Sequence, residues 1–474
     1  MAAYYYARLA PNRTEIVSGM ERAMRLSASV SERERLLIHA GGAWTMTSRA
    51  LGAVADSLVA RYPQETQGHL YKGIALLQGG DFLAAVAPLE RAVAMDSLSF
   101  TRVDSTSGCT ACTALLQLVL TYELADSLGA AERVARRWTR LQPESSRSWA
   151  SLWDVLERQS KFEEAQQVAA HIAQIDRDAI GATDRTAMNA VRMGNFDLAD
   201  RVLRAAIQGS SSAAQMDALW DLGLSLRHQG RLEEAVAIGR QYRALADRSE
   251  HVTGAVATQS VRPLAQALFE AGQYREAAAL FDSSATWRPA NETEASSARE
   301  RAWSLAHAAR SRAAAGDTAD LAARADTIAA VGVQSASGRD QRLASYIRGL
   351  LLLARRDMPN ALVAIRSSIY SLPAGYTREN YDLARIYLRL GRPRDAIAVL
   401  QPALRGKLDA SNFYLTHTEI RELLAQAWDS AGRADSASAH YAWVARAWEH
   451  GDPSYAGRAA AARERVLALR AKRG

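Results

Sequence analysis

Residues 146–179 read SRSWASLWDVLERQSKFEEAQQVAAHIAQIDRDA, two helix-forming halves joined by a short polar turn that begins at Ser160. Ala165 follows the turn at a place where a small side chain lets the two helices cross closely. Similar units begin at Cys112 and Ile180, so the spacing on both sides is the same. A fixed period of roughly 34 residues is typical of a helix-turn-helix repeat, and it predicts a stack of helical hairpins.

A common turn sequence marks further units along the chain. A turn residue, usually glycine, is followed by a polar residue, an apolar residue and, three places later, alanine. Glycine relieves the left-handed backbone at the end of the first helix, and alanine permits close helix packing. The pattern occurs at 80–85, 194–199, 230–235, 272–277, 357–361, 391–396 and 432–437.

These units resemble the tetratricopeptide repeat family, whose pattern has a bulky residue at position 4, small residues at 8 and 20, an aromatic at 11 and proline at 32. Trp149 occupies position 4, Gly73 position 8, Tyr122 position 11, Ala131 position 20 and Pro143 position 32 of their units. The resemblance implies an all-α fold, a right-handed superhelical solenoid of antiparallel helix pairs. About twelve hairpins plus a C-terminal capping helix are expected.

The array is expected to be one continuous solenoid in three parts. Residues 1–63 form irregular N-terminal helical hairpins, the second of which opens with a capping box at 31–34. Residues 64–453 form the repeat array, and residues 454–474 form a C-terminal capping helix with enough polar surface to close the stack. The apolar start around Tyr5 favours a chain that belongs to a larger polypeptide or works beside a partner.

The charge and hydropathy patterns argue against nucleic acid as a partner and against a membrane span. The formal net charge of +7 is carried almost wholly by arginine and is spread thinly, without the dense basic runs of a nucleic-acid-binding surface. No apolar run is long enough to span a membrane, and the first residues lack the regions of a signal peptide. As written, the chain is expected to be cytoplasmic; within a longer membrane-anchored chain it would be extracytoplasmic.

No sequence motif of a catalytic, cofactor or metal site occurs. The chain has no phosphate-binding loop, dinucleotide turn, zinc-protease helix or nucleophile elbow, and its nine histidines are scattered. We therefore expect no enzyme activity, no cofactor and no metal. Cys109 and Cys112, the two cysteines of the chain, lie near a predicted helix start. They are interpreted as a disulfide, as reactive thiols or as two semi-buried structural thiols.

In the family, the first helices of successive hairpins line a concave groove with exposed positions near 2, 5, 9, 12 and 13. These positions carry Asp154, Arg158, Met188, Arg192, Arg227, His228, Arg310, Tyr381, Arg385 and Arg389. Arginine can hold carboxylates bidentately, so this stripe suits an acidic or extended polar segment. The alternative is that arginine is simply the default surface cation of this sequence.

The resemblance implies a protein-protein interaction scaffold that binds a partner protein or peptide, acidic in one version, in the concave groove. A second interpretation rests on a weaker resemblance to the C-terminal repeat regions of bacterial Ser/Thr kinases and winged-helix regulators. It implies a regulatory or sensory repeat domain whose effector is encoded upstream. None of the effector motifs occurs in this chain.

Overall fold

A computed structural model of the chain describes residues 1–10, 12–96, 100, 109–176, 182–209, 212–248, 259–287, 293–374, 378–408 and 415–471. Ile180, where one repeat is predicted to begin, lies outside the described residues. The chain divides into two compact units. The N-terminal unit comprises Met1–Val155, Pro289–Arg299 and Ala330–Gln341, and the C-terminal unit comprises Leu156–Arg288, Glu300–Ala329 and Arg342–Gly474.

The described residues form α-helices and, at Ser27–Ser29, a short 3-10 helix, with no β-strand among them. The first helices are α1 (Ala2–Leu9), α2 (Arg13–Arg25), α3 (Glu32–Thr45), α4 (Leu51–Arg61), α5 (Thr66–Gly79), α6 (Phe82–Met95), α7 (Thr110–Leu124), α8 (Leu128–Leu141), α9 (Ser146–Arg158), α10 (Phe162–Ile175), α11 (Ala182–Met193) and α12 (Phe196–Gly209). The later helices are α13 (Ser212–His228), α14 (Leu232–Arg248), α15 (Arg262–Glu270), α16 (Tyr274–Thr286), α17 (Glu294–Ala314), α18 (Leu321–Gly332), α19 (Gly338–Ala354), α20 (Met358–Ser368), α21 (Arg378–Arg389), α22 (Pro393–Leu404), α23 (His417–Ser430), α24 (Ala434–Ala447) and α25 (Pro453–Ala471).

These helices form twelve successive pairs followed by α25, which confirms the predicted all-α architecture of about twelve hairpins and a final helix. The predicted capping box is also present. The Ser31 side chain accepts from the backbone N–H of Glu34, and the Glu34 carboxylate accepts from the backbone N–H of Ser31. The predicted part boundaries after residues 63 and 453 stay a prediction.

Eleven of the twelve pairs turn on a residue with a left-handed backbone. Seven of these residues are glycines, and the other four are Thr47, Asp126, Ser160 and Arg356. In each turn the next N–H group bonds back to a carbonyl of the first helix; for example, that of Lys161 donates to the Leu156 carbonyl at 2.9 Å. This bond satisfies a carbonyl at the helix end, so the first helix stops and the chain reverses.

Small side chains fill the helix crossings, as the repeat register predicts. The position-20 alanines are almost completely buried: Ala85, Ala131, Ala165, Ala199, Ala235, Ala277, Ala361, Ala396 and Ala437. A Cβ atom on Gly73 would lie 2.4 Å from the Leu89 side chain, and one on Gly349 would lie 2.4 Å from Ile365. Because no larger residue fits at these crossings, the two glycines set the distance between their helices.

Within the C-terminal unit, the last segment of the chain packs against much earlier hairpins. The Asp452 carboxylate accepts from the backbone N–H groups of Leu232 and Glu233, at 2.9 and 3.0 Å, and so caps the start of α14. Asp452 also donates its own backbone N–H to the Gly230 carbonyl at 2.9 Å. The side chain of Tyr455 covers Gly230. These contacts close the repeats of this unit onto one another instead of leaving an open array.

Hydropathy adds one observation about the helices. In the part of the chain that the structure describes, no helix combines the length and apolar character needed to cross a bilayer.

Candidate functional site

The ten residues predicted to line a groove differ widely in exposure. Arg385 and Arg389 are exposed, whereas Asp154 and Tyr381 are half-buried. Arg310 is largely covered, its side chain 13% exposed. The other five are buried: Arg158, Met188, Arg192, Arg227 and His228. The structure therefore places half of the predicted stripe inside the protein.

Arg158 and Arg192 donate hydrogen bonds to backbone carbonyls at the C-terminal end of α22. Arg192 pairs with Glu157, and both side chains are buried. Its guanidinium also donates to the backbone carbonyls of Leu404 and Gly406, while Arg158 Nε donates to the Arg405 carbonyl at 2.6 Å. Cations are favourable at the C-terminus of a helix, where the last carbonyls lack partners, so these two arginines stabilise the end of α22.

Arg227 belongs to a buried ion network. Its Nε and Nη2 donate to the two oxygens of Glu270 at 2.7 and 2.6 Å, and Arg378 donates to the same carboxylate at 3.1 Å. Gln266 adds a fourth bond at 3.2 Å. Burial alone would raise the pKa of the Glu270 carboxyl, but the two arginines hold that pKa below its ordinary value.

Arg310 lies in an adjoining cluster. It is 3.6 Å from a carboxylate oxygen of Asp382, which also accepts from the Tyr346 hydroxyl at 2.8 Å. The guanidinium groups of Arg310 and Arg378 lie over the ring of Phe269, at 5.1 and 4.3 Å from its centroid. Ion pairs and cation-π contacts thus hold this buried cluster together.

His228 is held as a neutral imidazole. Its Nδ1 is 2.9 Å from the Leu224 carbonyl, and its Nε2 accepts from the backbone N–H of His417 at 3.1 Å. The first contact needs a proton on Nδ1, and the second needs a lone pair on Nε2. Burial lowers the pKa of His228 to about 4. Because this histidine already has both partners within the chain, it is not offered to a ligand in this conformation.

A cavity of about 410 Å³ opens in the N-terminal unit. Its lining comes mainly from the first helices of five successive hairpins, α1, α3, α5, α7 and α9, which is the side where the concave groove is expected. The lining residues that matter for recognition are Arg8, Trp44, Tyr71, Leu116, Gln117 and Arg147. We call this surface the N-terminal groove.

The floor of the N-terminal groove is a buried hydrogen-bonded group. The Tyr4 hydroxyl lies 2.8 Å from the Tyr71 hydroxyl and donates to Gln67 Oε1 at 2.6 Å. A Cβ atom on Gly41 would lie 2.5 Å from the Tyr4 ring and 3.1 Å from the Tyr71 hydroxyl. Gly41 therefore makes room for the pair. Burial raises the pKa of both phenols, so both stay protonated at neutral pH.

The walls of the groove combine cations with an aromatic surface. Arg8 lies over the Tyr4 ring, 5.9 Å from its centroid, and Arg147 is an exposed residue of the first turn of α9. Trp44 is half-buried, with its ring 5.8 Å from that of Tyr71. No carboxylate lines this cavity in the described part of the chain. The surface can thus accept acidic groups at two places and apolar groups between them.

The two cysteines form a disulfide in the structure, and both are buried. Cys109 directly precedes α7, and its sulfur accepts from the backbone N–H of Cys112 at 3.0 Å. Within the described residues, no group of three or more histidine, cysteine, aspartate or glutamate side chains is arranged to hold a metal ion. The disulfide links Cys109, which precedes α7, to Cys112 in the first turn of that helix.

Sequence reasoning did not single out the N-terminal groove. The available signal was the pair Gly41-Gly42 in the middle of a helix-forming stretch, where two glycines weaken a helix unless another element approaches closely. The structure shows that approach, since Gly42 faces the Met24 side chain as Gly41 faces Tyr4.

Comparison with known protein families identifies the helical repeat in three stretches of the chain. The family model described as tetratricopeptide repeat matches residues 47–99, 185–250 and 381–452. No curated protein matches the sequence.

Several solved structures are similar at low identity. A tetratricopeptide repeat protein from Parabacteroides merdae has 14% identity and a TM-score of 0.31, over 61% of this chain and 98% of that chain. The Cut9-Hcn1 hetero-tetramer of APC/C has 11% identity and a TM-score of 0.29, over 95% and 100%. Naa15/Naa10 bound to HypK-THB has 13% identity and a TM-score of 0.28, over 87% and 68%.

Proposed function

Because the chain belongs to the tetratricopeptide repeat family, we propose that it is a protein-interaction scaffold whose N-terminal groove binds an extended segment of a partner protein. The fold is generally that of a non-catalytic scaffold, and stacked repeats of this kind present extended concave surfaces to their ligands. The observation that carries the proposal is the cavity lined by five successive first helices.

In the C-terminal unit, the residues at the predicted groove positions are less accessible than those of the N-terminal groove. The first helices of its hairpins carry Arg227 and His228, which are buried and bonded to groups of the same unit. A peptide could reach these side chains only by displacing those bonds. In the N-terminal groove, Arg147 and Trp44 keep exposed surface and are available without rearrangement.

The lining indicates the chemistry of the bound segment. Arg8 and Arg147 favour an acidic residue, since guanidinium groups bind carboxylates through charge-assisted hydrogen bonds. Trp44 and Leu116 between them favour an apolar or aromatic side chain. The segment we propose is therefore extended, mixed acidic and apolar, and free of basic residues where it meets the arginines. The exposed Arg385 and Arg389 of the predicted stripe stay candidates for a weaker, accessory contact.

The test uses the full chain and a matched pair of charge reversals. Partners captured from the source cell by the immobilised protein are identified by mass spectrometry, and the shortest binding segment is synthesised. Its affinity is then measured by fluorescence anisotropy for the wild type, Arg147→Glu and Arg140→Glu. Arg140 is exposed in the same unit but does not line the cavity, so Arg140→Glu controls for a general change of charge.

We expect Arg147→Glu to weaken binding at least tenfold, by about 1.4 kcal/mol or more, and Arg140→Glu to leave it within about twofold. Gln117→Trp, which fills the cavity without changing its charge, is also expected to abolish binding. A segment whose affinity is unchanged by both Arg147→Glu and Gln117→Trp would show that the partner binds elsewhere.

A further inference from the structure

A second cavity, of about 210 Å³, lies inside the C-terminal unit where the ends of α9 and α11 meet the start of α23. Its inner wall is formed by the buried side chains of Arg158, Arg192 and His417. Its rim carries the exposed Ser160 and Gln401, so the cavity opens to solvent.

The lining of this cavity is strongly one-sided in charge. Arg405 and Arg421 join Arg158 and Arg192, so four arginines line the space, and no carboxylate lines it in the described part of the chain. The carboxylate that pairs with Arg192 is that of Glu157, and both side chains are buried. A concave site lined by charges of one sign concentrates the opposite ion.

Arg421 is held in place by an aromatic ring and an imidazole. Its guanidinium lies 4.2 Å from the Trp443 ring centroid, and its Nη1 is 3.5 Å from His440 Nδ1. Its buried Nε has no hydrogen-bond partner among the described residues. A buried guanidinium held by an aromatic ring and an imidazole, and not by a carboxylate, is in the arrangement expected of an anion site without its anion.

The electrostatics of the neighbours agree with this geometry. Burial, together with the charges of Arg192 and Arg446, lowers the pKa of Arg421 to about 10. Burial and Arg421 lower the pKa of His440 to about 4, so this imidazole is neutral at pH 7. A multiply charged anion in the cavity would relieve the repulsion among the arginines.

We propose that this cavity binds a phosphate group, carried either by a small molecule or by a phosphorylated side chain of a partner. A tetrahedral oxyanion offers several acceptor oxygens to the arginines that line the cavity, and its charge of about −2 matches more than one arginine. The site uses no residue of the N-terminal groove, so it stands or fails independently of the proposed function.

Thermal unfolding of the full chain in phosphate and in sodium chloride, at one pH and one ionic strength, tests the site. A ligand that binds only the folded state raises the midpoint, and we expect a rise of about 2 °C or more in millimolar phosphate. Arg421→Gln should abolish this rise. It should also leave the midpoint in chloride unchanged or higher, because a repelled cation has been removed; a purely structural arginine would lower it.

Two further variants keep the test decisive. Arg446→Gln removes an exposed arginine that lies over the same Trp443 ring but does not line the cavity, and it should retain the response. Gln401→Glu places a carboxylate on the exposed rim and should reduce the response even if Arg421→Gln does not fold. Equal wild-type midpoints in phosphate and chloride, or an equal response in Arg421→Gln, would overturn the proposal.

The source of the phosphate group is separated by direct titration. A phosphoserine peptide that binds at least tenfold more tightly than inorganic phosphate, with its unmodified form inactive, assigns the site to a partner's side chain. Equal affinity for the peptide and for inorganic phosphate assigns it to a small phosphate-bearing molecule.

Discussion

The backbone N–H of His417 donates a hydrogen bond of 3.1 Å to Nε2 of His228, a residue 189 positions earlier in the chain. The Thr418 hydroxyl donates to the backbone carbonyl of His228 at 2.8 Å. The start of α23 is therefore fixed to the end of α13 by an imidazole that must stay neutral. This relationship makes the C-terminal unit sensitive to acid.

We predict a loss of stability between pH 7 and pH 5. The folded-state pKa of His228 is about 4, below its ordinary value of 6.5, so the unfolded chain takes up a proton first as the pH falls. The stability from this histidine is complete above pH 6.5 and decreases from there toward pH 4. At 1.36 kcal/mol per pH unit, the loss is about 2 kcal/mol at pH 5. Burial also lowers the pKa values of His307 and His417.

Urea unfolding at a series of pH values checks this expectation. His228→Gln should be less stable at pH 7 but should lose less stability on acidification than the wild type. His450→Gln, which changes an exposed histidine, serves as the control and should follow the wild-type curve. A free energy of unfolding that is flat from pH 7 to 5 would contradict the assignment of a neutral imidazole.

Removing the carboxylate of Glu270 should be strongly destabilising. Glu270→Gln leaves Arg227 and Arg378 buried without their anion, and breaking such a pair costs about 3 kcal/mol or more. Glu449→Gln is the matched control, because the pair of Glu449 with Arg463 is about half exposed. Its cost should stay below about 1 kcal/mol by denaturant unfolding. If Glu270→Gln lost as little stability as Glu449→Gln, the buried ion network around Glu270 would contribute little to stability.

Gly41→Ala should destabilise the N-terminal unit. The added Cβ would lie 2.5 Å from the Tyr4 ring, and overpacking of this kind costs about 1–3 kcal/mol. Gly457→Ala should instead stabilise the protein by about 0.5–1 kcal/mol, because Gly457 lies inside α25 with open space around it. Thermal unfolding of both variants measures the difference in sign. A Gly41→Ala variant at least as stable as the wild type would mean that the contact between Gly41 and Tyr4 is absent.

Two turn glycines should respond differently to the same substitution. Gly230 and Gly272 both have left-handed backbones, so alanine costs about 1–2 kcal/mol at either. A Cβ on Gly230 would also lie 2.6 Å from Tyr455, whereas nothing lies within 4 Å at Gly272. We therefore expect Gly230→Ala to be the more destabilising by denaturant unfolding. Equal effects would show that the last helix does not pack on this turn.

Counting the reactive thiols tests the disulfide between Cys109 and Cys112. The protein purified without reductant should show no reactive thiol toward a thiol reagent under denaturing conditions, and two after reduction, because Cys109 and Cys112 are its two cysteines. Two reactive thiols before reduction would assign the pair as free thiols. A Cys109→Ser variant should then show one thiol under both conditions.

The local repeat could be predicted almost entirely from the sequence. The glycine turns and the buried position-20 alanines depend on residues within one hairpin, and the turn at Gly80 and the crossing at Ala85 lie where the pattern placed them. The helix count follows from the same periodicity. These features are set by backbone conformation and by the distance between adjacent helices, both of which are encoded in a short stretch of chain.

The sequence predicts that the first helices of the hairpins line a groove, but none of the ten predicted residues lines the N-terminal groove. Arg192 and Arg227 occupy positions that face a ligand in an open array, but here they are paired with Glu157 and Glu270. The sequence does not place Arg8 and Arg147 in a common site, because they are ordinary surface arginines until five helices bring them to one cavity.

The sequence by itself therefore determined that this chain is a stack of helical hairpins, since each turn and crossing is a local matter of sterics. The tertiary structure alone decided which inner surface is closed and which is open. That outcome depends on contacts such as Asp452 with Leu232 and His417 with His228, between residues about two hundred positions apart. The period of the repeat does not encode such contacts. They depend on the curvature that builds up over many repeats, and on whether the groups brought together by it are complementary.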